Sequence, residues 1–414
     1  MQKARLRTSL PLLRNGIGLK ARPGSLLQER LRFRNIHRRE YLTKIGLFGE
    51  PRQARYSVGF DTRPALSRAC AYGKHTMKIA KVMIGAALLL SAMAGAQAAT
   101  LDVVKKRGEL RCGTTTGFAG FSAPDAKGVW RGLDVDLCRA IAAAVFGDAA
   151  KIKIVPLNSQ QRFTALQSGE IDVLTRNTTV TQQRDTALGI IHAGINFYDG
   201  QGFLVPKSLG VKSATELNGA TICLQTGTSN ENTLADWARA HKVDYKPVVI
   251  ETFNEVVNAF ATGRCDVFST DASGLASIRI SKLQNPDDYL VLPEIISKEP
   301  LGPFVRQGDD AWLNIVRWSL SAMIEAEEYG ITTANVDDQA QSPNPNIRRI
   351  LGVTPGAGAN MGLDEKWAYN IIKQVGNYGE SFDRNVGAGS PLKIERGLNA
   401  QWTQGGLMYA LPIR

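Results

Sequence analysis

The residues best suited to chemistry form a hydroxyl-rich run ending in arginine, Arg176-Asn177-Thr178-Thr179-Val180-Thr181-Gln182-Gln183-Arg184. The run follows a short apolar strand pattern, which puts it at the carboxyl edge of a sheet, where open α/β folds bind their ligands. Hydroxyls, a carboxamide and free backbone N–H groups can ring a carboxylate. Arg184 can close the ring with a planar fork that lysine cannot reproduce. The competing reading makes Thr181 a helix N-cap and Arg184 a solvated surface group. A second pattern, Gln225-Thr226-Gly227-Thr228-Ser229, opens another helix, where free N–H groups and a glycine admit an anion; Ser229 as an ordinary N-cap is the plainer alternative. Asp271 follows the strand pattern Asp266-Val267-Phe268-Ser269-Thr270 and can take an ammonium group. A cation with hydroxyls on one wall and an acid on the other fit a zwitterion, so an amino acid is the expected ligand.

The usual machinery of an enzyme is missing. There is no G-x-S-x-G elbow, Walker loop, H-E-x-x-H or C-x-x-C motif. Beyond residue 76 the only histidines are His192 and His241. No catalytic residue, metal or cofactor is therefore expected. Cys112, Cys138, Cys223 and Cys265 allow three pairings in an oxidising compartment, and chain order favours 112–138 and 223–265; buried free thiols are the alternative. The acid pair Asp134 and Asp136 falls at a helix start, where dipole and capping effects account for it.

The elements that must position these groups are legible through an internal echo. Residues 165–176 (ALQSGEIDVLTR) match 259–270 (AFATGRCDVFST) in pattern, each reading as a helix end, a glycine stop and a short buried strand. Upstream of each lies a cysteine-bearing strand, then a Gly/Thr-rich turn and a helix. This predicts two similar α/β lobes, each a mainly parallel sheet flanked by helices. The first would run as strand 109–113, helix 134–146, strand 152–156, helix 160–168 and strand 171–175. Lobe 1 is expected over 99–204, lobe 2 over 205–297, a return to lobe 1 over 298–336, and a tail packing on the lobes over 337–414. Crossings at 200–206 and 291–303 would form a hinge. The tail reads as loop-rich, with one good helix at 364–375.

A secretory signal peptide is expected at 77–98. Lys78 and Lys81 precede the apolar run 82–90, and Ala96-Gln97-Ala98 offers a cleavage site, with the mature chain starting near Ala99. The run is shorter than the roughly 18–20 residues that span a bilayer. Residues 1–76 then read as a non-native or disordered leader. They carry 17 Lys and Arg against 4 Asp and Glu, so they account for the formal +12 of the whole chain; residues 99–414 carry 31 against 34. The basic balance is therefore no argument for a nucleic-acid partner. The mature protein is expected to be exported and soluble, with no lipid-attachment cysteine at the cleavage point.

Several motifs in order, Gly132-Leu-Asp-Val-Asp136, residues 163–172, Thr178–Arg184, Gly227-Thr-Ser229, Asp266–Asp271 and Glu299-Pro-Leu-Gly302, give the chain a specific likeness. Over roughly 101–414 it resembles the periplasmic substrate-binding proteins of ABC importers for polar amino acids, in the general L-amino-acid and glutamate/glutamine/aspartate-binding branch. The resemblance implies the two-lobed type II periplasmic-binding-protein fold, a monomer, and an inner-membrane permease as partner. It also implies roles: Arg184 on the ligand α-carboxylate with Thr179, Thr228 and Ser229; Asp271 on the α-ammonium, assisted by Asn177; Phe118 against the ligand; and Arg162 near a side-chain carboxylate. Core packing for Phe118 and a solvated helix arginine for Arg162 are the alternatives. Relatives carry a second side-chain-binding arginine in the turn where Thr115 and its neighbours stand, so a broad preference is expected, covering Glu, Gln, Asp and Asn and open to a wider set. The rival from another class is a periplasmic enzyme on the same scaffold, similar to cyclohexadienyl dehydratase.

Overall fold

The computed structural model describes residues 99–414, and the expected leader and signal peptide lie outside the described residues. The chain runs through α1 (Thr100–Arg107), β1 (Leu110–Thr114), a small ribbon of β2 (Ala123–Pro124) and β3 (Trp130–Arg131), α2 (Leu133–Phe146), β4 (Ile152–Pro156), α3 (Gln161–Ser168), β5 (Val173–Leu174), α4 (Gln182–Ala187) and β6 (Ile190–His192). Next come β7 (Phe197–Asp199), β8 (Gln201–Pro206), β9 (Thr221–Gln225), α5 (Asn230–His241), β10 (Lys246–Ile250), α6 (Phe253–Ala261), β11 (Val267–Asp271), α7 (Ala272–Ser281) and β12 (Tyr289–Val291). The return passes through β13 (Glu299–Leu301), β14 (Phe304–Arg306) and the long α8 (Asp310–Glu328).

Two five-stranded sheets repeat one plan. In the first, ordered β4-β1-β5-β14-β6, β1 pairs in parallel with β4 and β5, and β14 runs antiparallel between β5 and β6. In the second, ordered β10-β9-β11-β8-β12, β9 pairs in parallel with β10 and β11, and β8 runs antiparallel between β11 and β12. The two echoed segments occupy equivalent joints, α3 to β5 and α6 to β11. Each sheet is thus a parallel three-stranded βαβ set widened by antiparallel strands. The widening has a topological cause: β8 and β14 are the strands that arrive from the opposite lobe, and they run against the set they join.

The hinge is a two-stranded ribbon in which β7 and β13 pair antiparallel, Phe197 opposite Leu301 and Asp199 opposite Glu299. The outgoing link is therefore Phe197–Asp199 rather than 200–206. Strand β8 belongs whole to the second sheet, so a lobe boundary at 204/205 would cut it. Residues 201–205 are buried, as suits a sheet interior. Cys112 on β1 bonds Cys138 on α2, and Cys223 on β9 bonds Cys265 ahead of β11, one bridge in each lobe.

Helix α2 is apolar nearly all round because it is covered on both sides, by its sheet and by α8 and the tail. The tail is more helical than its sequence suggests, with α9 (Val336–Gln339), α10 (Pro345–Ile350), α11 (Trp367–Gln374) and α12 (Tyr378–Asn385). Helix α12 starts from a capping box in which Asn377 and Glu380 satisfy each other's backbone. Its Ser381, Arg384 and Asn385 all bond the buried carboxylate of Asp136. Asp136 is therefore the tail's anchor, a role that dipole and capping effects alone do not account for.

One glycine controls the entry to α2. Gly132 has φ 132°, and a Cβ there would lie 2.0 Å from the Phe121 carbonyl oxygen. Gly132→Ala is expected to cost roughly 3 kcal/mol or more, because both the dihedral and a backbone clash must relax. Gly108→Ala, with φ 78° but open space around its Cβ, should cost only about 1–2 kcal/mol. Denaturant unfolding of the two variants checks the difference, and equal losses would refute the clash argument.

Candidate functional site

A narrow cavity lies between the lobes, at the carboxyl ends of the parallel strands of both sheets. Its lining takes Thr115 after β1, Ser159 after β4, Arg176 after β5, Gln225 at the end of β9 and Asp271 at the end of β11. Open α/β sheets expose their backbone ends and loops at this edge. The lobes meet around it. Arg162 Nη2 donates to the Gly227 carbonyl at 3.0 Å, Asn158 Nδ2 donates to Glu251 Oε1 at 3.0 Å, and Thr179 Oγ1 and Ser229 Oγ lie 3.1 Å apart. Phe118 of lobe 1 packs 5.4 Å from Phe253 of lobe 2. This is a closed conformation.

The lobe 1 wall is cationic. Arg162, in the first turn of α3, is 2% exposed, which excludes a solvated arginine. Its Nε has no partner. Burial, with Arg176 and Arg184 nearby, pushes its guanidinium well below the usual range. Arg176 is also buried, and donates from Nε to the Leu157 carbonyl and from Nη2 to Ser159 Oγ, each at 3.0 Å. Burial takes it down to about 10, offset by the nearby Asp134. Arg184 stands half-buried behind the lining, donating from Nη1 to the Thr179 carbonyl at 2.8 Å while its own N–H donates to the Thr181 hydroxyl. Thr181 is therefore an N-cap, and Arg184 is nonetheless turned inward.

The loop between β5 and α4 is held from below. Asn177 has φ 24° and lines the cavity, and its backbone N–H donates to Asp134 Oδ2 at 2.9 Å. Asn196 Nδ2 donates to the other oxygen of the same carboxylate at 3.1 Å. Asp134 is 1% exposed, and burial raises it to about 6. Its placement at a helix start reads as a dipole effect, yet it acts as a buried acceptor beneath the site.

The opposite wall is anionic. Asp271 is 5% exposed and accepts from Asn230 Nδ2 at 3.1 Å. Burial, then Asp199 and Glu299, raise its carboxyl well above the ordinary range. Asp199, at the hinge, is raised by burial to about 6. Thr228 lines the cavity but gives its hydroxyl proton to the Gln225 carbonyl at 2.7 Å. Ser229 is not a side-chain cap; its hydroxyl donates to Glu299 Oε2 at 2.9 Å. Phe118 both lines the cavity and packs edge-on against Phe121. Seven of the eight residues singled out from sequence thus line one cavity, and Arg184 backs it.

Sequence reasoning gave no role to Arg176, Ser159, Asn230 and Phe253 in the lining, nor to Asp199 and Glu299 beside it. For Arg176 the signal was present, since it lies just past β5 at the binding edge. Asp199 and Glu299 are brought together by the register of the hinge ribbon, which no local pattern encodes.

A family model described as bacterial extracellular solute-binding proteins, family 3, matches residues 110–333, more than half of the chain. The chain belongs to this family. The resemblance drawn from the ordered motifs is borne out. This family 3 protein is 57% identical to the general L-amino acid-binding periplasmic protein of Rhizobium johnstonii, over 81% of this chain and 99% of that one. It is 56% identical to the glutamate/glutamine/aspartate/asparagine-binding protein of Rhodobacter capsulatus, over 80% of this chain and 98% of the relative. A solved ABC transporter periplasmic binding protein from Brucella ovis, with glutathione bound, superposes with a TM-score of 0.75 at 55% identity, covering 77% of this chain and all of that one. These relatives are named as binding proteins, not enzymes. Among the described residues no helix is long and apolar enough to cross a membrane.

Proposed function

We propose that this solute-binding protein captures polar and acidic L-amino acids in the periplasm, after signal-peptide cleavage, and delivers them as a monomer to an ABC importer. The observation that carries the reading is the two-sided charge of the closed cavity, with arginines on the lobe 1 wall and Asp271 on the other. Burying a zwitterion is costly unless both charges are paired, and this cavity offers a partner to each. Arg184 and backbone N–H groups around Thr228 and Ser229 would take the α-carboxylate. Asp271 would take the α-ammonium, Asn177 and Thr179 would line its path, Phe118 would cover the ligand, and Arg162 would meet an acidic or amide side chain. Closure about the β7–β13 ribbon would present the liganded shape to the permease.

The protein changes no bond in this reading. A thermal-shift screen over the twenty amino acids tests it. Glu, Gln, Asp and Asn should each raise Tm by roughly 5 °C at a hundredfold excess over Kd. Glutathione belongs in the same screen, because its γ-glutamyl end presents a free α-ammonium and α-carboxylate and a relative is solved with it bound. No shift with any amino acid would overturn the reading. Recovery of a converted product would favour the dehydratase-like alternative instead.

A further inference from the structure

Glu299 belongs to the motif Glu299-Pro-Leu-Gly302, for which the ligand contacts give no use. It sits on hinge strand β13, 2% exposed, opposite Asp199. Both of its carboxylate oxygens accept hydroxyl protons, from Ser229 Oγ at 2.9 Å and from Ser297 Oγ at 2.6 Å. The positive charge of Arg184 faces it. A serine hydroxyl carries one proton. Ser229 gives that proton to Glu299, so in the 3.1 Å contact between Ser229 Oγ and Thr179 Oγ1 the donor is Thr179. The chain Thr179 to Ser229 to Glu299 therefore has one direction and runs from lobe 1 through lobe 2 to the hinge.

We propose that Glu299 is a positioning residue that turns the Thr179–Ser229 contact into a directed latch which only the closed form can make. The proposal rests on the ligand-binding reading above and assigns to that site its release control. An ionised acceptor strengthens the first bond and, through it, the second. The latch forms after closure, so it governs ligand escape and not the encounter with the open form. A further consequence is that the Thr179 and Ser229 hydroxyls have no proton left for a ligand carboxylate. They offer it lone pairs only, so the carboxylate needs other donors, among them the arginines and backbone N–H groups.

The test is stopped-flow binding of glutamate to the full mature chain, in a double-mutant cycle with Ser229. Glu299→Gln keeps the shape and removes the charge; it is expected to speed release about tenfold and to leave association within twofold. In a Ser229→Ala background the same change should alter release less than twofold, because the hydroxyl it orients is gone. A purely structural role would give equal effects in both backgrounds, and that result, or an unchanged release rate, overturns the proposal. If Glu299→Gln does not fold, Ser297→Ala replaces it. By freeing one carboxylate oxygen it should speed release about threefold in the native background and not in Ser229→Ala; equal effects again overturn the latch. Failure of the unsubstituted protein to bind any amino acid sinks the binding reading and the latch together, a result distinct from normal binding with an inert Glu299.

Discussion

Asp271→Asn and Arg184→Ala are each expected to weaken amino-acid binding by two to three orders of magnitude while the fold survives. In the proposed reading, a zwitterion buried in this cavity has one principal partner for each charge, Arg184 reaching in from behind the lining and Asp271 on the wall. Removing one partner leaves an uncompensated buried charge, a loss of about 3–5 kcal/mol, and each 1.4 kcal/mol is tenfold in Kd. The free proteins should behave differently. Burial and the carboxylates of Asp199 and Glu299 hold the Asp271 carboxyl well above its ordinary range. A neutral amide there relieves those costs, so ligand-free Asp271→Asn should be no less stable at neutral pH. The same feature gives a pH signature. An ammonium ligand needs Asp271 as a carboxylate, so binding below the raised pKa releases a proton and affinity increases as pH rises. Asp199, raised to about 6, adds a step in the same direction. Calorimetry in two buffers of different ionisation enthalpy counts the proton; Asp271→Asn should release fewer. Unchanged affinity in either variant would remove the zwitterion assignment.

Legibility in the sequence depended on where the determinants lie. The lobes were readable because their signals are local and repeated: a glycine stop between helix and strand recurs 94 positions apart, and a buried cysteine strand precedes each copy. The cavity-lining loop was readable because its polar residues directly follow an apolar strand. Burial that depends on a second layer was not. Asp134 and Asp136 open a helix as capping acids would, and only the loop at Asn177 and the tail helix α12 make them buried acceptors. Arg162 lies in a short helix with a polar first turn, and lobe 2 covers it from the other side. The partnership of Glu299 with Ser229 joins residues 70 apart and exists through closure and hinge register. In the tail, the N-x-x-E pattern at Asn377 and Glu380 was a readable start signal for α12, hidden by the polarity of the helix it opens.

In the proposed reading the preference among ligands turns on Arg162, and Arg162→Met should separate acidic from amide side chains. This guanidinium is held among like charges with an unpaired Nε, so it costs the empty cleft free energy that an incoming anion recovers. Replacing it with an apolar side chain of similar length removes that cost, and ligand-free stability should stay level or rise, as when buried ion clusters are exchanged for packed apolar groups. Glutamate then loses a charged partner worth about 2–4 kcal/mol, so its Kd should rise at least thirtyfold. Glutamine loses one hydrogen bond from a charged donor to a neutral acceptor, and its Kd should rise several-fold less than that of glutamate. Part of each loss is common, because Arg162 also bridges the lobes through the Gly227 carbonyl, and the ratio of the two affinities cancels that part. The ratio therefore reports the side-chain contact alone. Equal losses for glutamate and glutamine would assign Arg162 to closure and leave Arg176, the other buried arginine of the wall, as the group that selects acidic ligands.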